Sequence, residues 1–206
     1  MRDVPPELAE HPDRLRWNAK YAGAAGAFEV HPLAERALAM PPPDGPMLDL
    51  ACGTSGGALL AAAAGRAVTA VDVSEVALDL LEGEARRRGL ADLITFVHAD
   101  LGAWRPLPGR YAFVLCTGFW DRTVFGPAAQ AVAPGGVLGW EAFTTEARSV
   151  RPGLPAEWCL GPDEPAALLP SRPPGDFAVL DQHDLPDQRR GTKRRMLARR
   201  ATSLRH

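Results

Sequence analysis

Cysteine is scarce in this chain, and the little there is does not pair. Cys52, Cys116 and Cys159 stand far apart and form no C-x-x-C, so neither a zinc or other metal site nor a disulfide framework is expected. No apolar run reaches the length of a membrane span. The opening Met-Arg-Asp-Val-Pro-Pro has no apolar signal core. These absences set the expectation of a reduced, cytoplasmic protein. An excess of one charge is lacking too, since the formal net charge is −2 over 206 residues, which argues against a general polyanion binder. The dinucleotide fingerprint G-x-G-x-x-G is missing as well, because Ser55 stands where the second glycine belongs. What is abundant is apolar side chain, 46% of the residues, enough for a core in one α/β domain.

The chain is organised around Pro46-Met-Leu-Asp-Leu-Ala-Cys-Gly-Thr-Ser-Gly-Gly57. Met47 to Leu50 is an apolar run of strand length. Gly53 and Gly56-Gly57 make a turn, and an Ala- and Leu-rich stretch over 58–64 reads as a helix stopped by Gly65. Strand, glycine turn and helix make the first half of a nucleotide-binding βαβ unit. The glycines are expected to let the backbone approach a ligand, with free N–H groups of the helix start aimed at it.

Three further strands end in the same direction. Residues 67–72 close on Asp72, placed to accept from both hydroxyls of a ribose. Ser74 is an N-cap for the next helix, whose Arg86-Arg87-Arg88-Gly89 end suits the helix dipole rather than a binding patch. Residues 94–99 run into Asp100 and Leu101, and residues 111–116 run into Cys116 and Thr117. A helix then reaches about Ala133, Pro134-Gly135-Gly136 turns the chain, and residues 137–143 form the fifth strand. Residues 177–181 and 193–199 read as a closing hairpin. Its basic run from Arg189 to Arg200 lacks interleaved aromatics for stacking bases, so nucleic acid is not the expected partner. The Pro-rich stretch 153–175 is irregular, with only 164–169 helical, and is either a substrate cover or an inert excursion.

The D-x-x-C-G of Asp49 to Gly53 resembles motif I of the class I S-adenosylmethionine-dependent methyltransferases. Ala133-Pro-Gly-Gly-Val-Leu138 is similar to the K-P-G-G-x-L turn of that superfamily, with Ala133 in place of the Lys. Trp17-Asn-Ala-Lys20-Tyr21 resembles the W-x-x-[KR]-Y opening of the tellurite-resistance and thiopurine-type small-molecule methyltransferases, where this segment closes over the cofactor. The resemblance implies a Rossmann-like three-layer α/β sandwich in one domain. Its seven-stranded, mostly parallel sheet would end in an antiparallel hairpin, with cover helices over about 13–40. Those cover helices are read at 13–21, capped by Asp13 and broken at Gly23 and Gly26, and at 33–40.

The resemblance also implies a cofactor site. Gly53, Ala51 and Cys52 would pass the methionine part of S-adenosylmethionine, with Ser55 crowding or bonding it. Asp49 would sit near the ammonium, with the backbone of Cys116 and Thr117. Asp72 would hold the ribose, Val73 would lie against the adenine, and Asp100 and Leu101 would read the adenine edge. Trp17, Lys20 and Tyr21 would cover the site. Candidates on the acceptor side are Trp120, Asp121, Arg122, Glu141 and Phe143, with His31 and Tyr21 from the cover. Asp121 is either a helix cap or a site acid. Arg122 either clamps an anion or pairs with Asp121 or Glu141. Glu141 is either bonded to the cover or a site acid, and His31 is a candidate base. The expected activity is methyl transfer to a small molecule, leaving S-adenosylhomocysteine. The alternatives are an RNA or protein methyltransferase and a non-catalytic cofactor-binding subunit. Oligomeric state, monomer or homodimer, stays open.

Overall fold

The computed structural model describes residues 2–23, 27–41, 43–170 and 177–202. Gly26 and the Pro173-Pro174 part of the irregular stretch lie outside them.

Strand β1 (Met47–Leu50) is buried at every position, as a short unbroken apolar run must be to sit in the middle of a sheet. It pairs in parallel with β2 (Val68–Asp72) on one side and β4 (Tyr111–Thr117) on the other. β3 (Ile94–His98) extends the sheet beyond β2, and β5 (Val132–Phe143) lies parallel to β4. β7 (Lys193–Arg200) then runs antiparallel to β5, and β6 (Phe177–Leu185) forms the edge. The order is β3-β2-β1-β4-β5-β7-β6, a Rossmann-like, mostly parallel sheet with an antiparallel end. Strand order reverses at β1, so a crevice opens at the carboxyl ends of β1 and β4, the usual ligand position of such sheets.

Side-chain alternation divides β1 between two cores. Leu48 and Leu50 join Trp120, Phe125 and Trp140 on one face. Met47 joins Leu33, Leu59 and Leu81 on the other. Asp49 shares the parity of Met47 and therefore lies on the α3 side of the sheet.

Helices fill the layers: α1 (Pro12–Ala22), α2 (Pro32–Leu38), α3 (Gly56–Ala63), α4 (Glu75–Arg87) and α5 (Arg122–Ala131). Several boundaries differ from expectation. α1 starts at Pro12 with His11 at the N-cap instead of Asp13, because proline is preorganised for the first helical turn. α3 starts at Gly56, since Ser55 caps it. β5 starts at Val132, ahead of the Pro-Gly-Gly turn, which is taken up as a register shift against β4. Only one 3-10 turn, Ala166–Leu168, forms where a helix over 164–169 was expected. Among the described residues no helix is long and apolar enough to cross a membrane.

Candidate functional site

The turn after β1 is held by its neighbour. Ala51 and Gly53 both adopt left-handed backbone, φ 49° and 53°. Gly53 N–H donates to Asp72 Oδ2 at 2.7 Å, and Ser74 N–H donates to Asp72 Oδ1 at 2.8 Å. One carboxylate thus ties the glycine turn to the start of α4, where Ser74 accepts from Ala77 N–H as the N-cap. Asp72 is 6% exposed, and burial pushes its carboxyl up despite these two donors. Each oxygen still has a lone pair for a ligand hydroxyl.

Ser55 has a different task from the one expected of it. Its Oγ accepts from Ala58 N–H at 3.0 Å and donates to Asp49 Oδ2 at 2.5 Å. A glycine at this position could do neither. Burial, with the Asp72 charge adding to it, outweighs the Ser55 hydrogen bond and pushes the Asp49 carboxyl up to about 7.

The paired glycines line the cleft and also make room for the protein's own chain. A Cβ on Gly56 would overlap the backbone of Phe28 and Glu29, and one on Gly57 would lie 2.9 Å from Ala34 Cβ. Gly56 lets the segment before α2 lie directly on α3, and Gly57 lets α2 itself approach, with Thr54 Oγ1 donating to Ala27 O at 3.2 Å. A Cβ on Gly53 would meet the Tyr21 hydroxyl, so α1 covers the turn. Gly56→Ala is therefore expected to unseat residues 27–30 at a cost of about 1–3 kcal/mol. Urea unfolding reads this directly, and an unchanged midpoint would show that the segment does not rest there.

α1 buries none of its residues fully. It is attached by polar contacts: Arg14 with Glu75, Ser74 Oγ donating to Asn18 Oδ1 at 2.7 Å, and His11 at 4.0 Å from Asp100. Trp17 and Tyr21 stack with centroids 6.1 Å apart, and Lys20 Nζ lies 4.2 Å from the Trp17 ring centre.

The two strand-tip acids are neighbours. Asp72 pairs with His98 across β2 and β3, and Ala99 N–H donates to Asp72 O, so Asp100 follows one residue later on the adjacent strand. Asp100 Oδ1 accepts from Gly102 N–H at 3.0 Å, a turn cap with no regular helix behind it. The Val73 carbonyl lies 3.0 Å from His98 Nε2, and Leu101 is buried in the core. A cleft of about 220 Å³ opens beside the turn, with Asp49, Cys52, Ser55, Thr117, Tyr21 and His31 in its lining together with residues not foreseen there, among them Ala27 and Glu29. Asp72 and Asp100 are not in its lining.

On the acceptor side the candidates are already engaged. Glu141, 2% exposed, sits opposite Thr117 on β4 and Arg195 on β7. Its Oε1 meets His31 Nε2 at 3.2 Å and Lys193 Nζ at 3.0 Å, and its Oε2 accepts from Arg195 Nε at 2.8 Å. Burial pushes this carboxyl up, but the His31 hydrogen bond and the Lys193 ammonium prevail and hold it well below the carboxylate range. His31 Nδ1 accepts from Leu33 N–H as the cap of α2, which leaves its proton on Nε2, facing Glu141. Neither ring nitrogen is then free to take a substrate proton. Asp121 Oδ1 caps α5 through Thr123 N–H and Oγ1, both at 2.7 Å. Arg122 pairs with neither Asp121 nor Glu141 but grips Glu164 at two points, 2.8 and 2.7 Å. Cys116 is fully buried, and burial pushes its thiol well up, as for a packed side chain. Trp120 is core, 5.5 Å from Phe125 between ring centres. In the basic tail, Lys193 and Arg195 are held by Glu141, and Arg194 by Asp184.

Residues 47–136 match the family model described as a methyltransferase domain. No curated protein sequence matches the chain. Among solved structures it is similar to the 1,6-didemethyltoxoflavin-N1-methyltransferase of Burkholderia thailandensis, crystallised with 1,6-didemethyltoxoflavin and S-adenosylhomocysteine. That match has 18% identity and TM-score 0.66 over 98% of this chain and 92% of that one. It is similar to TehB of Haemophilus influenzae at 18% identity and TM-score 0.66, covering 89% of this chain and 66% of that one. It also resembles the geranyl diphosphate C-methyltransferase of Streptomyces coelicolor at 16% identity and TM-score 0.61, over 82% and 75% of the two chains. At such identities the likeness is one of fold.

Proposed function

We propose that this chain, whose residues 47–136 match a methyltransferase domain, is a class I methyltransferase that transfers a methyl group from S-adenosylmethionine to a small-molecule acceptor by in-line displacement. The observation that carries the reading is the Asp72 carboxylate, bonded to the Gly53 turn and flanked by Asp100 on the next strand tip. A nucleoside needs this set: an acceptor for its diol, another for its base edge, and close backbone.

The residues suit the cofactor's chemistry. Asp72 holds the ribose, Asp100 and the Leu101 amide read the adenine, and Asp49 with Thr117 faces the ammonium. The cofactor supplies a sulfonium methyl that is already activated, so the protein's work is alignment and exclusion of water. Tyr21 rests on Gly53 and neither acid lines the cleft, so α1 lifts to admit the adenosine and closes again. Its lack of fully buried residues keeps that motion cheap.

Asp49 gives this reading a signature. Its carboxyl, raised to about 7, is partly protonated near neutrality. A bound ammonium favours the charged form and expels the proton. S-adenosylhomocysteine affinity is thus expected to rise with pH through about 7, with proton release near that pH. Calorimetry in buffers of different ionisation heat measures the release. A heat independent of buffer would remove Asp49 from the ammonium.

On the acceptor side His31, Asp121, Arg122 and Glu141 are all committed elsewhere, and none is placed as a free base. That arrangement suits an acceptor atom that needs no proton removed. Asp100→Asn tests the base-reading assignment. It is expected to weaken S-adenosylhomocysteine about tenfold with the fold intact. Equal affinity would place the adenine elsewhere. In the same thermal scan a nicotinamide dinucleotide is expected to give no stabilisation. Cofactor binding without turnover on a broad acceptor panel would favour a non-catalytic cofactor-binding subunit.

A further inference from the structure

Around the mouth of the site, three cations face aromatic rings and make no ion pair among the described residues. The Arg16 guanidinium lies 4.8 Å from the ring centre of Trp158 and 5.6 Å from that of Trp17. Lys20 Nζ lies over Trp17 and 5.7 Å from the Tyr21 ring. Arg151 lies 4.6 Å over Phe143, whose ring Lys193 also approaches at 5.4 Å. These side chains come from segments remote in sequence, and the backbone brings them together. Leu160 N–H donates to Phe143 O at 2.8 Å, and Thr145 N–H to Leu160 O at 3.1 Å, which seats Trp158 beside the end of β5. Arg16 then bridges that segment to α1, and Tyr21 carries the aromatic row on to Gly53.

Among the described residues no carboxylate pairs with Arg16, Lys20 or Arg151, whereas the arginines of α4 and β7 that line their own acids are paired. Glu146, in the same stretch as Arg151, accepts instead from Thr144 Oγ1 at 3.1 Å. The cations also press on one another: burial, then Arg16 and Arg151, push the Lys20 ammonium down, and the Asp72 charge offsets only part of this. Like charges that repel one another, held in place by rings, are stabilised by an arriving anion. A guanidinium held over a ring has no hydrogen-bond acceptor there and can still offer its N–H groups to a bidentate anion.

We propose that this surface binds the methyl acceptor, and that the acceptor is a small anion, a carboxylate or phosphate carried on a planar apolar body. The inference rests on the proposed methyl transfer and names its substrate class. It agrees with a site that lacks a free base where the methylated atom is the anionic oxygen itself or another atom with no proton to lose. It also gives the irregular stretch around Trp158 a role as one wall of the acceptor site.

The test is a calorimetric titration of the S-adenosylhomocysteine-loaded protein with 2-naphthoate, with the neutral 2-naphthamide, and with a short single-stranded RNA. The expected result is saturable naphthoate binding, at least about tenfold weaker binding of the amide, and a similar loss of naphthoate binding in Arg16→Gln/Arg151→Gln. That variant is expected still to bind S-adenosylhomocysteine saturably, which shows that it folds. Equal binding of acid and amide, naphthoate binding indifferent to the double substitution, or no saturable naphthoate binding would each overturn the assignment. RNA binding that is tight and lost in the same variant would overturn it in favour of a polymer substrate. Failure of S-adenosylhomocysteine to bind the wild-type protein would instead sink the methyl-transfer reading itself.

Discussion

Glu141→Ala is expected to destabilise the protein more than any other single change at the site. The carboxylate is 2% exposed and is shared by His31, Lys193 and Arg195. Removing it leaves three proton-bearing groups facing one another without an anion. Breaking a buried pair in this way costs about 3–5 kcal/mol, and the lower end applies because Lys193 is partly solvated. For a chain of this size each kcal/mol moves the melting temperature by roughly 2–4 °C, so a fall of roughly 6–12 °C is expected. The pH dependence carries its own sign. The folded carboxyl is held below its unfolded value, so its stabilisation is fully present above the ordinary carboxylate range. It is lost as pH falls towards the folded pKa, and the wild-type and variant melting curves should converge in acid. A variant that melts with the wild type at neutral pH would mean that the cluster holds nothing together. The same contact joins α2, β5 and β7, so acceptor turnover is expected to fall with stability.

Asp72→Ala is expected to separate binding from stability. The substitution removes the acceptor for the Gly53 and Ser74 amides and the proposed partner of the ribose. A charge-assisted hydrogen bond contributes about 1.5–3 kcal/mol, so S-adenosylhomocysteine affinity should fall about ten- to hundredfold. The free protein should suffer less than it does from Glu141→Ala. Burial raises the Asp72 carboxyl, so its charge is held against a desolvation penalty, and losing it offsets part of the lost hydrogen bonding. Stability retained at the expense of function is the usual mark of a binding residue. Titration calorimetry beside thermal melting gives both numbers. Unchanged affinity with a collapsed melting temperature would make Asp72 a structural post.

Local chemistry is why much of this was legible. Met47 to Leu50, the glycine turn and the Ser74 cap depend on neighbours a few residues away, and each forms where the sequence places it. The adjacency of Asp72 and Asp100 follows from two parallel strands ending level, which sheet topology enforces. The contacts that escaped are long-range. Gly56 looks like a ligand glycine until residues 28 and 29 are seen lying on it. Ser55 looks like a defect in motif I until its hydroxyl is seen between Ala58 N–H and Asp49. Arg122 has acids nearby in sequence, yet its partner, Glu164, lies in an irregular stretch with no periodicity to place it. The central place of β5 buries Glu141, but only the antiparallel register of β7 brings Arg195 opposite it. Trp158 and Arg151 gave no signal for the same reason.

The most direct measurement is a crystal structure of the protein with S-adenosylhomocysteine. The ribose hydroxyls are expected within hydrogen-bonding distance of the Asp72 carboxylate, the adenine at Asp100, and the ligand sulfur turned towards the space between Thr117 and Tyr21. A ligand bound at any other surface, with Tyr21 still seated on Gly53 and Asp72 untouched, would contradict the account.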